Sequence, residues 1–191
     1  LVTRQRGYAM GHNELIQGAY AVAAPFFDGQ GQVAGSLGVF GPDVRLTEET
    51  LYALLDAVRR HETIYKSAGS VHGCALFAGA ELLLFTEDVG RHNALDAIAG
   101  WMWLEGVEGG DKILYTTGRL TSEMVIKAAQ MGVAIVVSRS GITEMGHRLA
   151  EQLGMALFAR CTNRHFLLYT GKQRFVGQPE LAPPAPVQAR S

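Results

Sequence analysis

The sequence is short of cysteine: Cys74 and Cys161 stand far apart and form no Cys-x-x-Cys pair. That excludes a zinc ribbon and a disulfide scaffold. It has no excess of positive charge, with 17 Lys and Arg against 18 Asp and Glu. Nonspecific nucleic-acid binding is therefore not expected, and any anion site must be local. No apolar run approaches the ~20 residues that span a bilayer, and the N-terminus has no signal-peptide core. No membrane association and a cytoplasmic location are the expectation. An initiator methionine is also missing, since the chain starts at Leu1, so a fragment or processed product is expected. What the sequence does have is apolar bulk. Hydrophobic residues make up 48% and charged residues 18% of 191, the balance of a folded chain large enough for one domain and a smaller piece.

The stretch Glu81 to Asp96 organises the rest. Leu82 to Thr86 reads as a short buried strand that stops at two adjacent acids, Glu87 and Asp88. Gly90 permits a turn, and Asn93 is expected to cap a helix starting at Ala94, with Asp96 reaching back as in a capping box. Arg91 and His92 then sit at the mouth of that helix. Free N–H groups and the helix dipole favour an anion there, and the guanidinium of Arg91 adds a planar donor fork suited to phosphate.

The pattern recurs. Lys112 to Thr117 reads as a second strand, turned by Gly118-Arg-Leu-Thr-Ser-Glu123 into a helix to about Met131, with Thr121 or Ser122 as cap. Val133 to Val137 is a β-branched strand, Ser138-Arg-Ser-Gly141 its turn, and Thr143 the cap of a helix to about Leu153. A fourth strand, Ala156 to Ala159, ends in Arg160-Cys-Thr-Asn-Arg-His165, and Phe166 to Tyr169 reads as an antiparallel return. Alternating strands and helices predict an α/β fold with a mainly parallel sheet whose strand ends share one edge. That edge receives Arg91, Arg119 and Arg139, and open α/β sheets bind ligands there.

Upstream, Thr47 is expected to cap a helix whose Leu51, Leu54, Leu55 and Val58 fall on one buried face. Residues 1–45 read as a turn-rich hairpin unit, with Tyr20 to Ala24 and Val33 to Phe40 on either side of an Asp28-Gly-Gln-Gly31 loop. Trp101, Trp103 and Leu104 are expected in the core. Cys74, beside Ala75 and Leu76, reads as a buried, unreactive thiol. The proline-rich stretch beyond about Phe175 is expected to be disordered.

The string Thr86-Glu-Asp-Val-Gly-Arg-His-Asn-Ala-Leu-Asp96, with Thr117-Gly-Arg-Leu-Thr-Ser-Glu-Met124 and Ser138-Arg-Ser140, resembles the formate dehydrogenase accessory sulfurtransferases, the FdhD family. The resemblance covers residues 61 to about 175. It implies a three-layer α/β/α fold related to cytidine deaminases and a homodimer. It also implies sulfur passed from a cysteine desulfurase to a molybdenum bis(molybdopterin guanine dinucleotide) cofactor, held as cargo before insertion into formate dehydrogenase. Cofactor contacts are expected from Arg91, His92, Asn93, Thr117, Gly118, Arg119, Ser138, Arg139 and Ser140. The resemblance adds a nucleotide loop of Arg160, Cys161, Thr162, Asn163, Arg164 and His165. No catalytic residue and no metal ligand is assigned.

The family carries its sulfur on a Cys-x-x-Cys loop, and this sequence has no such pair, so the cofactor-binding half is kept while sulfur transfer is expected to be lost. Arg6-Gly-Tyr-Ala9, Ala23-Ala-Pro25 and Gly35-Ser-Leu-Gly-Val-Phe-Gly-Pro42 resemble part of the effector domain of IclR-type transcriptional regulators. The change of resemblance is placed between about residues 45 and 62, which suggests a fused chain of a 1–45 segment, a 46–175 domain and a 176–191 tail; a small-molecule-sensing fragment is the alternative function. A zinc deaminase fails on ligands, because Cys74 stands where a Glu should follow His72 by two, and no Pro-Cys-x-x-Cys is present.

Overall fold

The computed structural model describes residues 5–12, 19–42 and 44–178. Its contacts divide the chain into two units, Leu1–Arg45 and Leu46–Ser191. The first is an antiparallel meander of β1 (Ala9–His12), β2 (Ala19–Phe27) and β3 (Val33–Pro42). The Asp28 carboxylate organises the expected loop, accepting from the backbone N–H groups of Gln30 and Gln32, each at 2.9 Å. Pro25 does not end β2; it pairs with Ser36 inside the ladder. The strand β1 was not separated by the sequence pattern.

The second unit holds a six-stranded sheet in the order β10-β9-β8-β7-β5-β6, built from β5 (His72–Ala78), β6 (Glu81–Asp88), β7 (Lys112–Thr116), β8 (Ile135–Ser138), β9 (Ala156–Thr162) and β10 (His165–Thr170). β7, β8 and β9 are parallel, whereas β5 pairs antiparallel with both β7 and β6, and β10 pairs antiparallel with β9. The sheet is therefore mixed. The mainly parallel expectation holds for strand direction, since β6 to β9 point one way, but not for pairing. The reason is the Gly79-Ala80 link between β5 and β6, with Gly79 at φ +56°. Two residues can make a hairpin, but a parallel crossover needs a dozen or more.

Alternation along the strands sorts side chains to two faces. Cys74, Leu76, Leu114, Val136 and Leu157 form one core with Leu95, Ile98 and Met102 of α3 (Arg91–Glu105), Met124 and Val125 of α4 (Ser122–Gln130) and Ala150 of α5 (Glu144–Gln152). On the other side lies α1 (Glu48–His61), whose His61 ring is 6.2 Å from that of Phe85 in β6, and whose Leu51, Leu54, Leu55 and Val58 are all buried as the spacing predicts. Thr47 caps α1 as expected, its hydroxyl accepting from the N–H of Thr50. A short α2 (Ile64–Ala68) follows.

Several expectations are corrected. Trp103 and Leu104 are 82% and 75% exposed, and of the expected trio only Trp101 packs on the core. The strand after Gly79 is an edge strand, longer than Leu82 to Thr86 and only half-buried. The tail is ordered further than expected. Phe175–Val176 form β11, which pairs in parallel with β4 (Leu46–Thr47), and the Phe175 ring stacks 5.5 Å from Phe158 and 5.3 Å from Phe166. Residues 179–191 lie outside the described part. Among the described residues no helix is long and apolar enough to cross a membrane.

Candidate functional site

Because β6 to β9 share a direction, the segments that follow them meet at one edge, with the start of β5 between those of β6 and β7. Backbone bonds tie neighbouring segments together. Thr117 N–H donates to Gly73 O at 2.9 Å, Arg139 N–H to Thr116 O at 3.0 Å and Arg160 N–H to Ser140 O at 2.8 Å. The Ser138 hydroxyl donates to Gly118 O at 2.7 Å and accepts from Ser140 N–H.

The segment Glu87 to Asp96 can be followed atom by atom. The Glu87 carboxylate accepts from the N–H groups of Thr63, Ile64 and Tyr65 and from the Thr63 hydroxyl, at 2.9 to 3.3 Å. It thereby caps α2 from the end of β6. Burial raises its pKa, but the bonds from Tyr65, Ile64 and Thr63 outweigh that and hold it below the ordinary carboxylate value. Asp88 accepts from Gly90 N–H at 2.7 Å. The helix then begins at Arg91, three residues earlier than expected. Gly90 is its N-cap at φ −106°, a conformation open to any residue, and no side chain caps it. Asn93 and Asp96 form no capping box: Asn93 is exposed in the first turn, and Asp96 pairs with Lys127 at 2.6 Å. Thr86, one residue earlier, anchors α3 by donating to Ala94 O at 3.0 Å.

Arg91 lies along Gly118. A Cβ at Gly118 would stand 2.8 Å from Arg91 Cδ and 3.0 Å from its Cβ, so a side chain there would displace the arginine. The Nε of Arg91 is buried with no hydrogen-bond partner. His92 bridges to Glu123 at 3.2 Å, linking the first turns of α3 and α4. The expected cap of α4 is half met: Thr121 occupies the N-cap, yet its side chain caps nothing and its hydroxyl is buried without a partner. Two helix starts thus open side by side with unsatisfied donors.

His72, absent from the expected site, belongs to this edge. Its Nδ1 is 3.4 Å from the Thr117 hydroxyl, which also accepts from Gly73 N–H. Burial and then the charge of Arg91 depress its pKa, so the ring is neutral at neutral pH. A lone His gives no sequence signal for this; its pairing opposite Asp88 depends on the hairpin register.

The other arginines turn elsewhere. Arg139 donates to the buried Glu62 at 2.7 Å and lies 4.9 Å over the Tyr65 ring. Arg119 is exposed. Arg160, exposed at φ +56°, lies against Gly141, and Arg164 stacks 4.9 Å over Tyr52. Asn163, at φ +53°, accepts from Arg59 at 2.8 Å, while Thr162 and His165 are exposed at the β9–β10 turn. Arg139, Cys161, Thr162 and Asn163 line a cleft of about 60 Å³ with Leu55, Val58, Arg59, Glu62 and Tyr115. The structure brings together Arg91, His92, Thr117 and Gly118 on the α3–α4 side. It sets Arg139 and the 160–165 loop toward α1.

Both thiols are poor nucleophiles. Burial pushes Cys74 up to about 11, against a bond to Thr116, and Cys161 up to about 12, against a backbone bond from Ser138. The buried thiol expected at Cys74 is what the structure holds.

Comparison with known proteins follows the same residues. The pattern described as the FdhD/NarQ family matches residues 26–176. The sulfur carrier protein FdhD of Bacillus subtilis (strain 168) is 36% identical over 131 residues, 69% of this chain and 50% of that protein. That of Halalkalibacterium halodurans is 34% identical over 131 residues, covering 69% and 48%. A crystal structure described as that of a formate dehydrogenase accessory protein from Desulfotalea psychrophila superposes with a TM-score of 0.66 at 32% identity, over 70% of this chain and 58% of that one. The chain spans about half the length of the curated relatives it matches. The match begins at residue 26 and so overlaps the segment likened to IclR-type regulators. With the recurring strand-end loops, the Arg91–Gly118 contact and a family pattern over more than half its length, this chain belongs to the FdhD/NarQ family.

Proposed function

We propose that this chain holds the guanine-dinucleotide end of a molybdopterin cofactor as cargo. It does so as part of an accessory sulfur carrier that serves formate dehydrogenase. In this reading a cysteine desulfurase supplies sulfur for the molybdenum, and the protein works as a cytoplasmic homodimer with the α/β/α fold of the cytidine-deaminase relatives. The supporting observation is the pair of helix starts at α3 and α4. Neither has a side-chain cap, and between them lie Arg91 Nε and Thr121 Oγ1, both buried and unpartnered. A pyrophosphate oxygen would satisfy such donors, and both helix dipoles favour it.

The residues divide the work. Arg91 supplies charge, held in place by Gly118. Neutral His72 and the Thr117 hydroxyl supply hydrogen bonds without adding charge. Arg119, exposed at the next turn, closes on the outer phosphate. The cleft of Arg139, Cys161, Thr162 and Asn163 serves the far end of the cargo. Sulfur relay itself is assigned to no residue of this chain, because a relay needs a thiolate and both thiols are held protonated. Amide chemical-shift mapping with guanosine diphosphate tests the site. Perturbations are expected at 90–93 and 118–123; perturbations confined to other surfaces, or none at millimolar ligand, would refute it.

A further inference from the structure

His72 opens β5 at the strand-end edge, opposite Asp88 in the β5–β6 ladder. Its Nδ1 stands 3.4 Å from the Thr117 hydroxyl, which already accepts from Gly73 N–H at 3.0 Å. With one lone pair taken, that hydroxyl has a single proton to give and a single lone pair to offer. A ring protonated only on Nε2 draws the Thr117 proton onto Nδ1. A ring protonated on both nitrogens donates to Thr117 instead and frees the hydroxyl proton to turn elsewhere. The two states differ by the rotation of one O–H.

The charged groups around the ring are mostly spent. From β6, Asp88 accepts from Gly90 N–H at 2.7 Å, and Glu87, opposite Gly73, caps α2. From α3, His92 is paired with Glu123 of α4. Within β5 itself, burial keeps the Cys74 thiol protonated. Arg91 is left. Its Nε is buried without a partner, it lies against Gly118, next in sequence to Thr117, and its charge reinforces burial in holding the His72 pKa down.

We propose that His72 couples the phosphate site to protons: as an anion settles against Arg91, the ring takes a proton from solvent and the Thr117 hydroxyl turns its own toward the guest. An anion cancels the charge that disfavours the imidazolium and itself favours it, so the ring's pKa lies higher in the complex than in the free site. The added affinity is complete below the pKa of the free site and is lost as the pH rises through that of the complex. Each pKa unit gained is worth about tenfold in affinity. The free ring is uncharged at neutral pH, as in the proposed function, and its charge enters with the guest as the pH falls toward the ordinary histidine value of 6.5. No bond of the guest is made or broken.

The inference rests on the nucleotide reading and adds its dependence on protons. Diguanosine pyrophosphate is the probe, because its phosphates keep their charge across the range where histidine titrates. Calorimetric titration of the full chain from about pH 5 to 8, in buffers of different ionisation enthalpy, gives affinity and proton uptake together. The ring resonances in NMR give the His72 pKa with and without the probe, and thermal melts at each pH control for folding. Affinity is expected to be about tenfold higher at the acid end, with net proton uptake. The probe should raise the His72 pKa, and so should Arg91→Gln in the free protein. His72→Gln should flatten the pH profile whatever affinity remains, whereas His92→Gln should keep its slope. Saturable binding with a flat profile, or a His72 pKa that neither the probe nor Arg91→Gln moves, would overturn the coupling and leave the nucleotide reading standing. No binding at any pH would overturn both.

Discussion

At the scale of single residues, the acids that end β6 build structure. Glu87 caps α2 with bonds to three backbone N–H groups and a hydroxyl. Glu87→Ala should cost about 0.5–2 kcal/mol of stability by urea denaturation, the range for a lost cap. Because its folded pKa lies below the ordinary value, this contribution is complete above the unfolded carboxylate pKa and fades as pH falls through the folded one. Wild type and Glu87→Ala should therefore draw together in stability as the pH falls through the folded carboxylate's lowered pKa, and a difference that stays constant through the acid range would assign Glu87 another role. The cysteines give a second residue-level expectation. With thiols at about 11 and about 12, Cys74 and Cys161 should alkylate with iodoacetamide at neutral pH at least ~100-fold more slowly than free cysteine, until the protein is unfolded. A persulfide on Cys161 after incubation with a cysteine desulfurase would contradict the assignment of sulfur relay elsewhere.

At the scale of elements, the strands and helices of the second unit were legible because their spacing is strong and their turns are short. Thr47 and Thr143 cap helices where the sequence placed caps, and Leu51, Leu54, Leu55 and Val58 are buried on one face. Two features were not legible. Whether β5 runs with or against β7 is settled by a two-residue link rather than by residue type, so alternation suggested a parallel sheet where hairpins also occur. The start of α3 was misread because Asn93 is a good cap by type, yet Asp88 already fixes Gly90, and Thr86 holds Ala94 O. The site was legible only as a list of strand-end positions. That Arg139 turns to Glu62 and Arg91 to Gly118 depends on which sheet face each follows. Gly118 is the element-level test. Gly118→Ala should push Arg91 aside and weaken guanosine diphosphate binding roughly tenfold, the scale of one charged hydrogen bond, while the melting temperature changes little. Binding at wild-type strength would show that Arg91 does not need its present seat.

At the scale of the molecule, two units share one chain and the proposed chemistry lies wholly in the second. Residues 46–178 include every strand of the six-stranded sheet and the β4–β11 pair that fastens its ends. Their removal from the first unit should leave a cooperative unfolding transition and an unchanged nucleotide affinity. Loss of either would mean that the first unit completes the fold or the site. The uncapped starts of α3 and α4, with Arg91 between them, are expected to receive phosphate. Calorimetric titration tests it most directly, comparing guanosine diphosphate with guanosine on wild type and Arg91→Ala. Saturable binding of the diphosphate is expected, at least tenfold weaker in Arg91→Ala, with little binding of guanosine to either protein. Equal affinity for guanosine and its diphosphate, or a diphosphate affinity indifferent to Arg91, would contradict it.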